Sequence, residues 1–513
     1  MKNVLEYLEN TAKLYPKKIA VIDENESCSY EELLYNSQVI GMYLYDIRNS
    51  IKNNENKSIA VFMDKSVKTL QIFMGIVYAG GFYTLIDPSF PKERISQILN
   101  VLDSDIVITT EENKGKLIEA GYKKKIVEVE TLYNYVNESL NRDDFKLDNT
   151  EMSTDTDPLY CNFTSGSTGV PKGVLISHRS VIDFIDNFTE IFGISNVDVI
   201  GNQAPFDFDV SVKDIFSCFK TGATLVIIPK SYFMFPNKVI DMLEEHKVTT
   251  LIWAVSALVL IARLHGLKYK APESINKIMF SGEMMPIKQL NEWRKYYKDA
   301  MFVNLYGPTE ITCNCMYYII DKDKQFELED KIPLGIPFPN EKVFILDENK
   351  YKDGNLIGEI CVAGTCLALG YYNNEEATKK VFVRNPLNKY YEEMIYKTGD
   401  LAYWDEEGNL IFAGRKDFQI KHMGHRIELE EIESALSSVS MIEQACCFFD
   451  DIKNKVVAFY IGEDDKRAII NELKEKVPDY MIPNVWRCVD KLPLNKNGKT
   501  DRVLLKKIYR EGM

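Results

Sequence analysis

Three glycines, four hydroxyl residues and one lysine fall within ten positions at Thr164-Ser165-Gly166-Ser167-Thr168-Gly169-Val170-Pro171-Lys172-Gly173. Glycine lets backbone N–H groups turn towards a ligand without a side chain in the way. Consecutive N–H groups turned one way form an anion-binding concavity. The hydroxyls add donors, and the lysine adds a compact positive charge. Such a loop is suited to nucleotide phosphates. A flexible Ser/Gly connection is the alternative, and the largely apolar runs at 159–163 and 174–176 that flank the loop tightly speak against it. The loop is not a Walker A sequence, which needs G-x-x-x-x-G-K-[ST]. Lys172 is followed by Gly173-Val174, so no hydroxyl comes directly after the lysine to hold Mg²⁺. An ordinary P-loop ATPase fails on this point, and any metal must take its ligands from elsewhere.

The elements that must carry this loop alternate between strand-like and helical patterns. Residues 59–63 read as a buried strand, 66–78 as a helix ending at Gly80-Gly81, and 82–86 as a second strand stopped by Asp87-Pro88. Residues 106–109 and 125–129 repeat the theme, and a polar segment, 141–157, reads as a surface linker into the loop. The alternation resumes at 223–228, 249–253, 277–280 and 301–304. Strands separated by helices imply parallel sheets with helical covers. From about residue 330 short strands and Gly/Asp/Asn turns dominate, with a hairpin signal at 405–409. The last hundred residues read as helix 428–436, strands 442–449 and 455–461, and helix 466–477. The expected fold class is therefore α/β: a large N-terminal domain of two α/β subdomains plus a small β-rich subdomain, then a small mobile α+β C-terminal domain. The boundary is placed at 414–417, giving domains 1–416 and 417–513.

At 513 residues the chain exceeds one small core. A net charge of −14 argues against a general nucleic-acid binder. No secretory signal opens the sequence, and no window reaches the roughly 18 uninterrupted apolar residues of a membrane span. Ten scattered cysteines without a C-x-x-C pair, and five histidines without zinc-ligand spacing, lead us to expect reduced, mostly buried thiols in a cytoplasmic protein.

Seven segments together resemble a family. Ser29-Tyr30-Glu31-Glu32-Leu33, the stretch from Tyr78-Ala79-Gly80-Gly81 through Pro88 and Arg94, and the Ser/Thr/Gly loop come first. Asn304-Leu305-Tyr306-Gly307-Pro308-Thr309-Glu310, Tyr396-Lys397-Thr398-Gly399-Asp400, the stretch from Gly414 to Glu428, and Asn497-Gly498-Lys499 follow. In this order they resemble the adenylate-forming enzymes, specifically the amino-acid adenylation domains of nonribosomal peptide synthetases and the D-alanine–carrier protein ligases. The resemblance implies ATP and Mg²⁺ as cofactors and two half-reactions. An amino acid becomes an aminoacyl adenylate with release of pyrophosphate, and the acyl group then passes to a phosphopantetheine thiol. Because the chain ends soon after the last motif, the acceptor is expected to be a separate carrier protein.

What the resemblance implies for each residue can be set beside its bland reading. Thr164, Ser165, Gly166, Ser167, Thr168, Gly169 and Lys172 would bind the phosphates, and Gly282, Glu283, Asn304 and Gly307 would also lie at the nucleotide. Tyr306 would stack on adenine, against a plain core tyrosine. Thr309 would donate to the α-phosphate. Glu310 would bind Mg²⁺, a hard cation suited to carboxylate oxygen, against a helix first-turn acid. Asp400, read as a strand-to-turn aspartate with a free carboxylate, would accept the ribose hydroxyls with help from Arg415. Asp209 would bind the substrate ammonium, against a helix N-cap. Lys499 would enter from the small domain and offset charge developing between the carboxylate and the α-phosphate. Asp417 would be the hinge, and Gly424 would let the pantetheine arm pass.

The amino-acid pocket carried over from the family consists of Asp209, Val210, Lys213, Ser256, Met279, Ser281, Leu305, Cys313 and Asn314, closed by Lys499. Lys213 admits two readings: a partner for an acidic or polar substrate side chain, or a structural ion pair with Asp209, Asp207 or Asp214. The D-alanine ligases have cysteine where this chain has Ser281, so D-alanine is weakened but not excluded. An acyl- or aryl-CoA ligase and a noncatalytic nucleotide-binding regulator are the competing functions; Asp209 argues against the first, and Lys499, Glu310 and Asp400 against the second.

Overall fold

A computed structural model describes residues 1–51, 56–139, 153–166, 169–352, 355–494 and 500–512. Two mainly parallel sheets carry the large domain. The nine-stranded sheet runs Ile336–Pro337, Met316–Ile320, Met301–Tyr306, Lys277–Ser281, Thr250–Ala254, Val199–Asn202, Thr224–Ile227, Ile19–Ile22 and Ser27–Ser29. Its pairings are parallel from Met301–Tyr306 through Ile19–Ile22 and antiparallel at both ends. The seven-stranded sheet runs Gly370–Tyr371, Lys172–Ser177, Pro158–Thr164, Phe82–Leu85, Ser58–Phe62, Ile106–Thr109 and Lys125–Glu128. Parallel strands covered on both faces are apolar throughout, and every residue of Ser58–Phe62 is buried.

Local signals set the helices between these strands. Ser66 caps Val67–Tyr78 by accepting from the Thr69 amide. Ser29 and Glu32 form a reciprocal capping box at the start of Tyr30–Ser50, which satisfies two orphan donors at once. The helix Val67–Tyr78 ends beside Gly80, whose φ of +72° suits a residue without a Cβ.

The two α/β subdomains are interwoven along the chain. Ile19–Ile22 pairs with Thr224–Ile227, about two hundred residues on, and so joins the nine-stranded sheet. Both strands flanking the Ser/Thr/Gly loop belong to the seven-stranded sheet, where they form an antiparallel hairpin. Sheet membership is fixed by which apolar faces can be covered, not by proximity in sequence. The predicted linker falls largely outside the described residues.

A five-stranded antiparallel unit follows, built from Glu341–Lys352, Asn355–Gly364, Phe382–Arg384, Met394–Trp404 and Leu410–Arg415. After residues 416–418 come the hairpin Gln419–His422/His425–Glu428 and the sheet Ile442–Asp450, Lys455–Gly462, Val485–Cys488. The helices Leu429–Ser437, Lys466–Lys474 and Arg502–Arg510 accompany them. The main core beneath these helices draws only on residues from Ile420 onward. The ten cysteines are free and nine are buried. Among the described residues, no helix is long and apolar enough to cross a membrane.

Candidate active site

Four neighbouring parallel strands of the nine-stranded sheet end on one edge, and the chain leaves that edge carrying the predicted residues. Thr250–Ala254 leads to Ser256, Lys277–Ser281 to Gly282 and Glu283, and Met301–Tyr306 to Gly307, Thr309 and Glu310. The segment after Val199–Asn202 supplies Asp209. Register aligns Ala254 with Ser281 and Ser281 with Leu305. The carboxyl edge of parallel strands is where α/β sheets hold their ligands.

Asp209 stands at the first turn of Val210–Thr221 but makes no side-chain cap, so the capping reading is set aside. It is 7% exposed. Burial raises its pKa, and Lys213 and a hydrogen bond from Thr309 oppose the rise without cancelling it. Lys213 is fully buried. Its Nζ donates to Asn314 Oδ1 at 2.7 Å and to Ser281 Oγ at 3.4 Å. None of the anticipated ion pairs with Asp207, Asp209 or Asp214 forms: no carboxylate lies within ion-pair distance of Lys213 among the described residues. Burial lowers its pKa, and the nearby Cys313, Asp209 and Asp214 counter only part of that. Val210, Met279, Leu305 and Cys313 are buried around them, and Cys313 Sγ lies 3.0 Å from the Asp209 carbonyl.

On the nucleotide side, Tyr306, Asp400 and Arg415 form one chain of bonds. Tyr306 donates its hydroxyl to Asp400 Oδ2 at 2.6 Å, and Arg415 Nη1 pairs with Asp400 Oδ1 at 2.5 Å. Asp400 thus lies within the strand Met394–Trp404, buried and bonded. The reading of a turn aspartate with a free carboxylate is corrected, because the antiparallel pairing opposite Arg415 extends the strand through it. Lys421 Nζ sits 5.8 Å from the Tyr306 ring centre, so a cation covers the expected adenine platform in this arrangement. Asn304 turns its amide to the Pro333 carbonyl at 2.8 Å. Arg415 also grips both oxygens of Asp417, at 2.7 and 2.9 Å. Burial pushes the Asp417 carboxyl up, but Arg415 outweighs it and leaves it below its ordinary value.

The small domain meets this edge through its hairpin and first helix. Gly424, at φ +81°, donates its amide to Glu283 Oε1 at 2.6 Å. A methyl group placed on it would stand 3.4 Å from Ala254 Cβ and Ser256 Oγ. His425 stacks on Tyr480 at 3.7 Å and meets Phe208 edge-on at 5.3 Å. Arg426 Nη1 pairs with Glu310 Oε2 at 2.6 Å, and the Tyr371 hydroxyl donates to the other oxygen at 2.7 Å. Burial pushes the Glu310 carboxyl up, yet Arg426 and Tyr371 outweigh it and hold it below its usual value. Ser165 Oγ donates to the Arg426 carbonyl at 2.6 Å, and the Gly166 amide donates to Glu431 Oε2 at 3.2 Å. Lys172 Nζ lies 5.5 Å from the Tyr371 ring centre. Ser167, Thr168 and Lys499 lie outside the described residues. Sequence reasoning missed the partners: Arg94, Lys421, Arg426 and Glu431 sat inside or beside quoted motifs, but nothing in the order of residues said what they would touch.

Residues 8–372 match the AMP-binding enzyme family, and residues 431–499 match the AMP-binding enzyme C-terminal domain. The chain belongs to the AMP-binding enzymes. It is 32% identical to zwittermicin A synthase ZmaJ of Bacillus cereus, over 96% of this chain and 92% of that protein. It is 33% identical to bacitracin synthase 1 of Bacillus licheniformis, over 98% of this chain but 9% of that protein. It is 30% identical to tyrocidine synthase 1 of Brevibacillus parabrevis, over 98% and 45%. The chain thus spans less than half the length of those two larger synthases. NpsA-ThdA, an artificially fused adenylation–PCP di-domain from Klebsiella oxytoca, superposes with a TM-score of 0.81 at 21% identity, covering 95% of this chain and 93% of that one. Holo-PA1221, with adenylation and PCP domains bound to a vinylsulfonamide inhibitor, gives 0.80 at 22% identity, covering 99% and 84%. At those identities the likeness is one of fold.

As an AMP-binding enzyme of the peptide-synthetase adenylation type, the chain is an adenylate-forming ligase that uses ATP with Mg²⁺. Its residues fit both. The Gly166 amide and Arg94 already hold an anion, the Glu431 carboxylate, on the loop expected to take phosphates. Glu310 is a buried carboxylate, held below its usual pKa, whose Oε2 is bound by Arg426 of the small domain. With Arg426 withdrawn, that oxygen is left for a hard cation.

Proposed function

We propose that this AMP-binding enzyme activates an amino acid as its aminoacyl adenylate, with release of pyrophosphate, and passes the aminoacyl group to the phosphopantetheine thiol of a carrier protein. Asp209 carries the reading. A buried carboxylate whose pKa stays raised despite Lys213 and Thr309 is under-compensated, and a substrate ammonium is the group that would complete it. A fatty or aryl acid offers no such cation. The peptide-synthase names of the relatives and the adenylation–PCP structures support the amino acid and the carrier.

In this scheme the amino-acid carboxylate attacks the α-phosphorus of ATP. Two anions must approach, and fixed positive and N–H groups lower that barrier. The loop from Thr164 through Lys172 would supply them on one side and Lys499 on the other, with Thr309 donating to the α-phosphate. Glu310 would hold Mg²⁺, which supplies charge to offset the phosphates. Asp400 and Arg415 would take the ribose, and Tyr306 the adenine once Lys421 moves off its ring. Domains 1–416 and 417–513 would turn about Asp417, and Gly424 would border the path of the pantetheine arm. Lys213, steadied by Ser281 and Asn314, would favour an acidic or otherwise polar substrate side chain; D-alanine remains a weaker fit.

The test is amino-acid-dependent exchange of labelled pyrophosphate into ATP over a panel of amino acids and simple carboxylic acids. Exchange with one or a few amino acids, falling about tenfold or more in Asp209→Ala, is the expected result. Exchange supported only by acids lacking an amine would move the enzyme to the CoA-ligase reading, and none with any acid would favour a regulator.

A further inference from the structure

The chain leaves the nine-stranded sheet at Asn202 and enters its next helix at Val210, and Asp209 is the last residue of the segment between. Past the end of a strand the backbone carbonyls lose their ladder partners and must find others. Here they meet a side chain from the other sheet. Lys65 stands in the turn between the strand Ser58–Phe62 and the helix Val67–Tyr78. Its Nζ donates to the Gln203 carbonyl at 3.0 Å, and to the carbonyls of Ala204 and Asn202 at 3.3 and 3.4 Å. It also donates to Asn202 Oδ1 at 2.8 Å. The Asn202 amide carries the link on to Asp214 Oδ2 at 2.6 Å, in the helix Val210–Thr221 and next in sequence to Lys213. Asn202 and Asp214 are fully buried. Burial pushes the Lys65 ammonium down to about 7, against the opposing charges of Asp214 and Asp207. Such a cation has exchanged water for protein oxygens. One ammonium thus holds both ends of the segment that carries Asp209: its first residues directly, and the helix after it through Asn202.

We propose that Lys65 is a positioning residue for amino-acid binding: it acts through the segment 203–209, fixing Asp209 where the substrate ammonium is met. The inference rests on the proposed function and concerns a residue to which that reading gives no part. A compact ammonium with three donors on a flexible stem can serve several carbonyls from one point. Hydrogen bonds from a charged donor are stronger than neutral ones. Removing the donor leaves the carbonyls of Gln203 and Ala204 short of a partner, and the cost falls on the segment they belong to. Gln203 spreads the effect, because its side-chain oxygen accepts the Ala254 amide at 3.2 Å, at the strand end that leads to Ser256. A carboxylate displaced by about 1 Å loses much of its hold on a fixed ammonium. A tie that only joined the two sheets would lower stability and the fraction of active enzyme, and would leave the affinity for each substrate alone.

The test uses the full chain and two measurements. Amide hydrogen exchange, with no substrate added, should show residues 203–214 of Lys65→Met exchanging faster than in the parent chain, while the strand Lys277–Ser281 keeps its protection. Pyrophosphate exchange is then measured with the amino acid that the parent chain uses best. Lys65→Met should raise the amino-acid KM about tenfold or more while the ATP KM stays within about twofold of the parent's. Lys65→Arg, which keeps a charged donor, should recover most of that loss. Lys65→Gln provides a second reading should the methionine variant melt early. Unchanged protection of 203–214, or a fall in kcat with the amino-acid KM unaltered, overturns the proposal. Exchange supported only by amine-free acids in the parent chain would instead strike the proposed function, while the protection of 203–214 would still decide whether Lys65 holds the segment, so the two failures are distinguishable.

Discussion

Lys213 and Asp209 sit one helical turn apart with opposite charges, the spacing at which helix ion pairs form, yet they do not pair. Lys213 reaches across to Asn314 and Ser281 instead. Two neutral partners orient the ammonium, and Lys213 offsets only part of the burial cost of Asp209. Under the proposed function the pair would meet a zwitterion with a third charge on its side chain. We expect Lys213→Met to lower kcat/KM for the best acidic substrate by about tenfold or more while sparing or improving apolar amino acids. An unaltered ranking across the panel would remove Lys213 from specificity. Because burial lowers the Lys213 pKa, the preference for acidic over apolar side chains should weaken towards alkaline pH and persist in the acid range, where the lysine stays charged.

At the level of elements, the turn after Met301–Tyr306 is built by close approach of backbone to backbone. A methyl group on Gly307 would stand 2.6 Å from Asn314 Cα and 2.7 Å from the Cys313 carbonyl. The opposing segment is itself strained, with Thr312 at φ +53° and Cys313 at +70°. Gly307→Ala should push this segment away and carry Asn314 off Lys213, and we expect exchange to fall by about a hundredfold, as misplacement of about 1 Å can do. A variant with full activity would show that the turn has slack. In the β-rich unit, burial raises the Glu341 carboxyl to about 7, with Cys366 and Thr365 as its bonded neighbours and Asp183 adding negative charge. Its folded pKa lies above the unfolded value of about 4.3. The stability it contributes is therefore present below that lower value and is lost as the pH rises through about 7. Glu341→Gln should raise Tm by about 2 °C or more at pH 8, with a smaller gain at pH 5. An equal shift at both pH values would contradict the assignment.

Over the whole molecule, the joint between the domains is made of ions that each have another task in the proposed cycle. Glu310 is engaged by Arg426, Glu283 by the Gly424 amide and the phosphate loop by Glu431. In the proposed cycle this arrangement would serve thiol transfer, with Gly424 beside the proposed pocket and the groups proposed for phosphate and metal already engaged. Adenylation would call on Lys499 instead. Lys499→Ala should therefore cut amino-acid-dependent exchange by about a hundredfold or more while leaving transfer from preformed adenylate largely intact; loss of both activities together, or of neither, would contradict the split.

Much of this protein was legible in its sequence because the signals are local. Glycine at a tight turn, hydroxyls beside it, apolar runs of strand length and a capping Ser29-x-x-Glu32 depend on neighbours a few residues away, and the strands and helices they imply are present. The proposed pocket residues were named from the family resemblance, and their contacts were not legible. That Asp400 lies inside a strand bonded to Tyr306 and Arg415, that Lys213 turns to Asn314 and Ser281, and that Ile19–Ile22 joins a sheet two hundred residues distant were decided only when the chain closed on itself. Burial removes water as the competing partner for each charge, so which charge meets which is settled by the three-dimensional packing of two domains, a quantity that no short stretch of sequence contains.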